Sequence, residues 1–279
     1  QSNQLSVHLG IPAQQFELTQ SVENLMIETP LDSLGAELRR AAAEAPNKPF
    51  IRMAAGEWTY GQFDEMTDQL AVGLRRQGVQ RGENVSLMLP NCIEFAVLWF
   101  ALSRLGAVAA PVNTSFRGAV LGNALNLVES RLLIVHTTLL ASLTEIETDL
   151  DSITQVIVVG GGGVLPRVGA LRYQAYTLLQ DQGGPTEEPL QAVEVNSSEL
   201  ALLLYTSGTT GRSKAAMISH RFVLAQGRLM AEQLALTTSD VLYCPYPIFQ
   251  LDAAVVTIEP ALVRRAVAAS GKRFSVPRN

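Results

Sequence analysis

Between Thr59 and Val159 the chain switches repeatedly between two hydrophobic periods, and that alternation limits the fold more than any other feature. Thr59 and Gln62 have the spacing of a capping box, and Phe63, Met66, Leu70 and Leu74 follow at helical intervals until Gly78. Asn84 to Leu89 reads as a short apolar strand broken by Pro90-Asn91, and Asn91 with Glu94 is expected to cap a second helix reaching about Leu105. Ala107 to Val112 is again strand-like. The cycle repeats with a helix over Phe116 to Ser130, a strand over Leu132 to His136, a helix over Leu139 to Leu150 and a strand over Thr154 to Val159. Such alternation predicts an α/β architecture of parallel strands with helices on both faces.

At 279 residues with 47% apolar content, the chain can bury a substantial core in one large or two smaller domains. Only 17% of residues are charged, the net charge is −5, and no block of Lys or Arg occurs; neither a nucleic-acid surface nor an electrostatic membrane anchor is expected. The longest membrane-like stretch, Phe95 to Val112, is divided by Ser103 and Arg104 into pieces too short to cross a bilayer. Cys92 and Cys244 lack a CxxC spacing, and His8, His136 and His220 are too scattered for a local metal site. A reducing cytoplasm fits this cysteine usage, and no secretory signal is expected at the start. Gln1-Ser2-Asn3 has the look of a protease-site scar and is set aside.

Gly160 to Gly163 follows the last strand of the series, but Val164-Leu165-Pro166 does not open a helix, as a dinucleotide-binding glycine turn requires. A connector is the better reading. Asp181 to Pro189, polar and rich in Gly, Pro and Glu, reads as a surface loop or the seam between two subdomains. The expected organisation is an N-terminal extension over 1–30, a first α/β subdomain over 31–185, and an incomplete second one over 186–279.

In that second part an apolar strand, Leu200 to Leu204, leads into Tyr205-Thr206-Ser207-Gly208-Thr209-Thr210-Gly211-Arg212-Ser213-Lys214. These residues make a poor core element but suit a loop that wraps amides and hydroxyls around an anion, most simply a polyphosphate. Gly208 and Gly211 permit positive φ and close backbone approach, Thr206, Ser207, Thr209 and Thr210 offer hydroxyl donors, and Lys214 brings a mobile charge. From Leu200 to Ala231 there is no Asp or Glu, whereas Arg212, Lys214, Arg221 and Arg228 all fall there, so the local field favours an anion. A nucleotide-hydrolase P-loop is excluded: it needs Gly before the Lys and Ser or Thr after it, and Ser213 and Ala215 stand there instead. Ala215 to Ser219 is short and apolar, and Ser219 is placed to cap a helix from His220 to Leu234, so the loop is expected to join two strands. A basic, Ser/Thr-rich surface turn is the bland alternative.

This stretch resembles the adenylate-forming enzymes, the family of acyl-CoA synthetases, luciferases and peptide-synthetase adenylation domains. Their phosphate loop reads Tyr-Thr-Ser-Gly-Thr-Thr-Gly-x-Pro-Lys-Gly and ends in Ser-His; Tyr205 to Lys214 and Ser219-His220 fall in register. The likeness extends over Trp58-Thr59-Tyr60, Arg81 to Val85, Arg104 to Val108 and Pro247-Ile248-Phe249. The resemblance implies the front of a large N-terminal domain, with parallel-type sheets flanked by helices, from an ATP-dependent carboxylic acid:CoA ligase. It implies ATP, Mg2+ and coenzyme A as cofactors, and a small-molecule carboxylic acid as substrate. The implied reaction makes an acyl-adenylate with release of pyrophosphate, then a thioester with release of AMP. By the same resemblance Thr206, Ser207, Gly208, Thr209, Thr210, Gly211 and Lys214 hold the departing phosphates, with Lys214 catalytic, and Tyr246, Phe249, Gln250 and Ala254 border the acyl pocket.

The chain departs from the family pattern in places. Ser213 replaces the usual Pro and Ala215 the usual Gly, which loosens the last turn of the loop. Gln250 replaces a His, exchanging a group that can become cationic for a neutral amide. The family's later Thr-Glu motif, ribose-binding Asp and C-terminal Lys have no counterpart, so the 279-residue chain alone is expected to be inactive as a ligase. Two further readings share the loop: a non-catalytic nucleotide-binding or interaction module, and a sibling enzyme passing its acyl group to an amine, an oxygen or a carrier protein.

Overall fold

The computed structural model describes residues 32–161, 165, 170–180, 193–206, 214–250 and 254–271. Ser33 opens helix α1 (Leu34–Glu44), its hydroxyl accepting from the Ala36 amide at 3.2 Å. The hairpin β1 (Pro49–Met53) and β2 (Gly56–Thr59) leads into α2 (Tyr60–Arg76). Here the expected capping box is present: the Gln62 amide donates to Thr59 Oγ1 at 3.2 Å, and the Thr59 amide to Gln62 Oε1 at 3.0 Å. Then come β3 (Asn84–Met88), α3 (Ile93–Leu105), β4 (Val108–Pro111), α4 (Gly118–Leu127), β5 (Leu132–His136), α5 (Leu140–Thr144), β6 (Gln155–Val159), β7 (Arg172–Ala175) and α6 (Thr177–Gln180). Further on lie β8 (Leu200–Thr206), β9 (Lys214–Ser219), α7 (His220–Gln233), β10 (Val241–Cys244), a π-helical turn (Ala254–Ile258), α8 (Glu259–Arg264) and β11 (Val267–Ser270).

Two sheets result. The larger has seven strands in the order β7-β6-β5-β3-β4-β8-β9, parallel throughout except for the antiparallel β8–β9 pair. The smaller has the order β10-β11-β1-β2, antiparallel only between β1 and β2. Residues from both sides of position 185 enter each sheet, since β8 pairs with β4 and β11 with β1. The seam expected at Asp181 to Pro189, the extension over 1–30 and residues 207–213 lie outside the described residues.

The strand residues explain why the large sheet is covered twice. Val85, Leu87, Ile134, Ile157 and Val159 face a core shared with Phe50, Ile51 and Ala268 of the small sheet, whereas Met88, Leu133, Val135, Val156 and Val158 face a separate core with Leu121, Leu125 and Leu143. A strand apolar on both sides must be buried on both sides. Between the sheets, α3 is buried from Phe95 through Leu105, and its one cation, Arg104, pairs with Asp64 and Asp68 of α2. Phe50, Tyr60, Phe63 and Phe100 interlock there, with Phe50 and Tyr60 stacked at 4.4 Å and Phe63 and Phe100 edge-on at 5.3 Å. Gly106 ends α3 in the left-handed region at φ 66, freeing the chain to turn directly into β4.

Some expectations need correction. The helix expected over Phe116 to Ser130 is confined to Gly118–Leu127, and Leu139 to Leu150 is broken into two 3₁₀ turns flanking α5. Asn91 does not cap α3. The N-cap is Cys92, which makes no side-chain cap hydrogen bond, because the Asn91 amide is taken up by the loop after β10 and the end of β11. A long-range set of partners outcompetes the local one.

Candidate functional site

The connections that leave the carboxyl ends of the parallel strands converge on a cavity of about 400 Å³. Pro90 and Asn91 follow β3, Thr114, Ser115 and Arg117 follow β4, Thr138 and Leu139 follow β5, and Pro245, Tyr246, Pro247 and Phe249 follow β10. Ligand sites of open α/β sheets form at this edge, where loops from several strands can point side chains at one volume. Among the described residues the lining contains one cation, Arg117, and no carboxylate. Arg117 is held by its own loop, its Nη1 donating to the carbonyls of Thr114 at 2.7 Å and Phe116 at 2.6 Å. A Ser115 amide bond to Asn113 Oδ1 at 2.8 Å fixes the same turn.

Tyr246 and Phe249 both line this cavity, with Tyr246 54% exposed and Phe249 packed against the core. Gln250 is exposed, and its amide donates to the Pro247 carbonyl at 3.0 Å; it does not line the cavity. Ala254 opens the π-helical turn. Asn91, Thr114, Ser115 and Arg117 were not singled out as site residues from sequence. Their signal is positional: each sits just past a strand that the hydrophobic pattern identifies.

The segment from Thr206 to Lys214, expected to hold phosphates, is described at its two ends. β8 and β9 pair from Leu200↔Ser219 to Thr206↔Lys214, so Thr206 and Lys214 face each other across the hairpin and close the 207–213 connection, which lies outside the described residues along with Ser207, Gly208, Thr209, Thr210 and Gly211. The second strand expected from Ala215 to Ser219 is present, antiparallel to β8. Tyr205 is an anchor for the strand end, its hydroxyl donating to the Ala124 carbonyl of α4 at 2.9 Å. Ser219 caps α7, accepting from the Phe222 amide at 3.2 Å. At the opposite end of β8, Glu199 receives Arg81 Nε at 2.7 Å, and that guanidinium holds the Glu199 carboxyl below its usual range.

Buried titratable groups near these elements are structural. His220, fully buried, accepts from the Leu34 amide through Nδ1 at 3.3 Å, and burial brings its pKa down to about 4. His136 caps the 3₁₀ turn after β5 by accepting from the Thr138 amide at 3.3 Å. Burial, with a smaller contribution from Glu94, pushes the Cys92 thiol up to about 12, far from a thiolate nucleophile. A second cavity, about 430 Å³ beside α1, is lined by Asp32, Arg39, Arg40, Asp68 and Arg104 among others. Its cations are paired: Arg39 with Asp68 at 2.8 Å, Arg40 with Asp32 at 3.2 Å, and Arg104 with Asp64 and Asp68, and the lining also holds the carboxylate of Glu194. The 400 Å³ cavity, whose described lining holds the cation Arg117 and no carboxylate, is the better site for an anionic ligand. Among the described residues no helix is long and apolar enough to cross a membrane, and no cluster of metal-ligating side chains occurs.

Comparison with known proteins agrees with this architecture. The chain is 31% identical over 237 residues to long-chain fatty acid transport protein 6 of Homo sapiens, covering 84% of this chain and 37% of that protein. It is 27% identical over 247 residues to the medium/long-chain-fatty-acid–CoA ligase FadD6 of Mycobacterium tuberculosis, covering 88% and 39%. The crystal structure of a long-chain-fatty-acid–CoA ligase, FadD1, from Archaeoglobus fulgidus superimposes with a TM-score of 0.75 at 27% identity, over 88% of this chain and 48% of that one. The chain thus spans well under half the length of these curated relatives. The family model described as AMP-binding enzyme matches residues 38–268, which take in both sheets, and the chain belongs to that family.

Proposed function

We propose that the chain is the front part of the large domain of an ATP-dependent carboxylic acid:CoA ligase, contributing the pyrophosphate-binding loop and one wall of the acyl pocket. The observation that carries this reading is the β8–β9 hairpin. Its register sets Thr206 opposite Lys214, so the hydroxyl- and glycine-rich residues 207–213 link two paired strands, which supports reading them as a phosphate-gripping segment.

The chemistry asks positioning of this chain rather than covalent work. Amides and hydroxyls of Thr206, Ser207, Thr209 and Thr210 are the donors offered to the β and γ phosphates, with Gly208 and Gly211 allowing close approach. Lys214 places positive charge where it grows negative as pyrophosphate leaves. A magnesium ion bound with the nucleotide would supply further charge neutralisation. The acid's carboxylate would attack the α-phosphorus from the side of the 400 Å³ cavity, where Tyr246 and Phe249 provide an apolar and aromatic wall and Arg117 a cation. Coenzyme A's thiol would then displace AMP. Gln250 offers an amide donor beside this wall but no titratable charge.

The decisive measurement is pyrophosphate release from ATP by the full-length protein across a panel of carboxylic acids. Release that depends on an acid, followed by thioester formation when coenzyme A is added, is expected. ATP turnover independent of any acid, or an acyl-adenylate that coenzyme A does not convert to a thioester while an amine converts it to an amide, would replace this reading by another.

A further inference from the structure

The loop that bears Tyr246 and Phe249 has little means of holding itself. Pro245 and Pro247 have no amide to donate, so β10 cannot extend its ladder through them. The backbone groups between those prolines and just beyond are instead met by a single side chain from the other sheet. Asn91 Oδ1 accepts from the Ile248 amide at 2.7 Å, and Asn91 Nδ2 lies 3.0 Å from the Tyr246 carbonyl. The same Nδ2 lies 3.0 Å from Ser270 Oγ and 3.0 Å from the Gly271 carbonyl. One amide thus ties together the end of β3, the loop after β10 and the end of β11, across the junction of the two sheets, and it lines the cavity as it does so. The arrangement demands an amide, because a carboxylate there would face two carbonyl oxygens with no donor.

We propose that Asn91 is a positioning residue for the acid substrate, a role that rests on the ligase reading above. Through its bonds to the loop it fixes the wall made by Tyr246, Pro247 and Phe249 opposite Thr114 and Arg117, so the width of the cavity is set by this one side chain. None of these bonds reaches Thr206 or Lys214, the described ends of the segment after β8, so the acid KM is expected to respond more than the ATP KM.

The test uses Asn91→Asp, which keeps shape and removes the donors, and Asn91→Ser, which is too short to reach both strands. Acid and ATP KM are measured on the full-length protein from acid-dependent pyrophosphate release, alongside amide hydrogen exchange. The acid KM is expected to rise roughly tenfold or more while the ATP KM stays within about twofold. Exchange over 244–250 is expected to quicken by roughly tenfold, with the interior of β3, Val85 to Leu87, unchanged. Equal shifts in both KM values, or an unaltered acid KM, would overturn the positioning role, as would unaltered exchange over 244–250. A wild-type protein that releases no pyrophosphate with any acid would overturn the ligase reading and the acid assignment with it, while the exchange comparison still decides whether Asn91 holds the loop.

Discussion

At the scale of single residues, the site separates groups that act from groups that hold. Lys214 stands exposed at the start of β9, so its charge contributes little to folding, and Lys214→Ala is expected to change stability by less than about 1 kcal/mol. Its rate of acid-dependent pyrophosphate release should fall by roughly a hundredfold, as for loss of one preorganised charge at a transition state. Pre-steady-state kinetics set against a denaturation curve checks both halves. His220 belongs to the holding group. Its folded pKa of about 4 lies below the unfolded value of 6.5, so its contribution is complete above pH 6.5 and is lost as pH falls toward 4. The difference corresponds to on the order of 3 kcal/mol. Chemical denaturation at pH 7.5 and pH 4.5 should therefore show a smaller acid loss in His220→Gln than in wild type.

At the scale of elements, close approach rather than propensity decides which substitutions are tolerated. Gly73 lies within α2, where Ala is favoured over Gly by about 1 kcal/mol. A Cβ there would lie 2.7 Å from Leu179 Cα and closer still to its carbonyl oxygen, both backbone atoms of α6 that cannot rotate away. The overpacking penalty of about 1–3 kcal/mol exceeds the propensity gain, and Gly73→Ala should lower the melting temperature. A raised melting temperature would mean that α6 yields easily. The helix's own start was legible from Thr59 and Gln62 because a capping box is a local contract between residues three apart. The failed cap at Asn91 shows the limit of that logic: its partners, Tyr246, Ile248, Ser270 and Gly271, are more than 150 residues away in sequence.

At the scale of the whole molecule, the junction between α7 and α8 carries an unusual load. Glu259 is fully buried where α8 meets Gly227 of α7, and neither of its carboxyl oxygens has a hydrogen-bond partner among the described residues. Burial raises its pKa well above 4.5, so its neutral form is favoured in the fold and stability falls as pH rises through the raised value. Glu259→Gln should accordingly gain stability over wild type as pH is taken from 5 toward 8, with the gap closing in acid where both side chains are neutral. Melting temperatures across that range decide the matter, and a constant gap would place the cost in packing instead of ionisation.

The sequence by itself determined the βα alternation, the double burial of the central strands, the α2 and α7 caps and the two strands that flank residues 207–213. Each of these follows from contacts within a few residues or from a hydrophobic period, and such signals are written along the chain. Tertiary structure alone decided that β10 and β11 join β1 in a second sheet, that α3 is buried between the sheets, and that Asn91, Thr114 and Arg117 meet Tyr246 and Phe249 around one cavity. Those outcomes depend on which distant surfaces bury one another. Parallel strands are joined by crossovers, so the residues that share a strand edge in space are separated by whole elements in sequence, and no local pattern records their encounter.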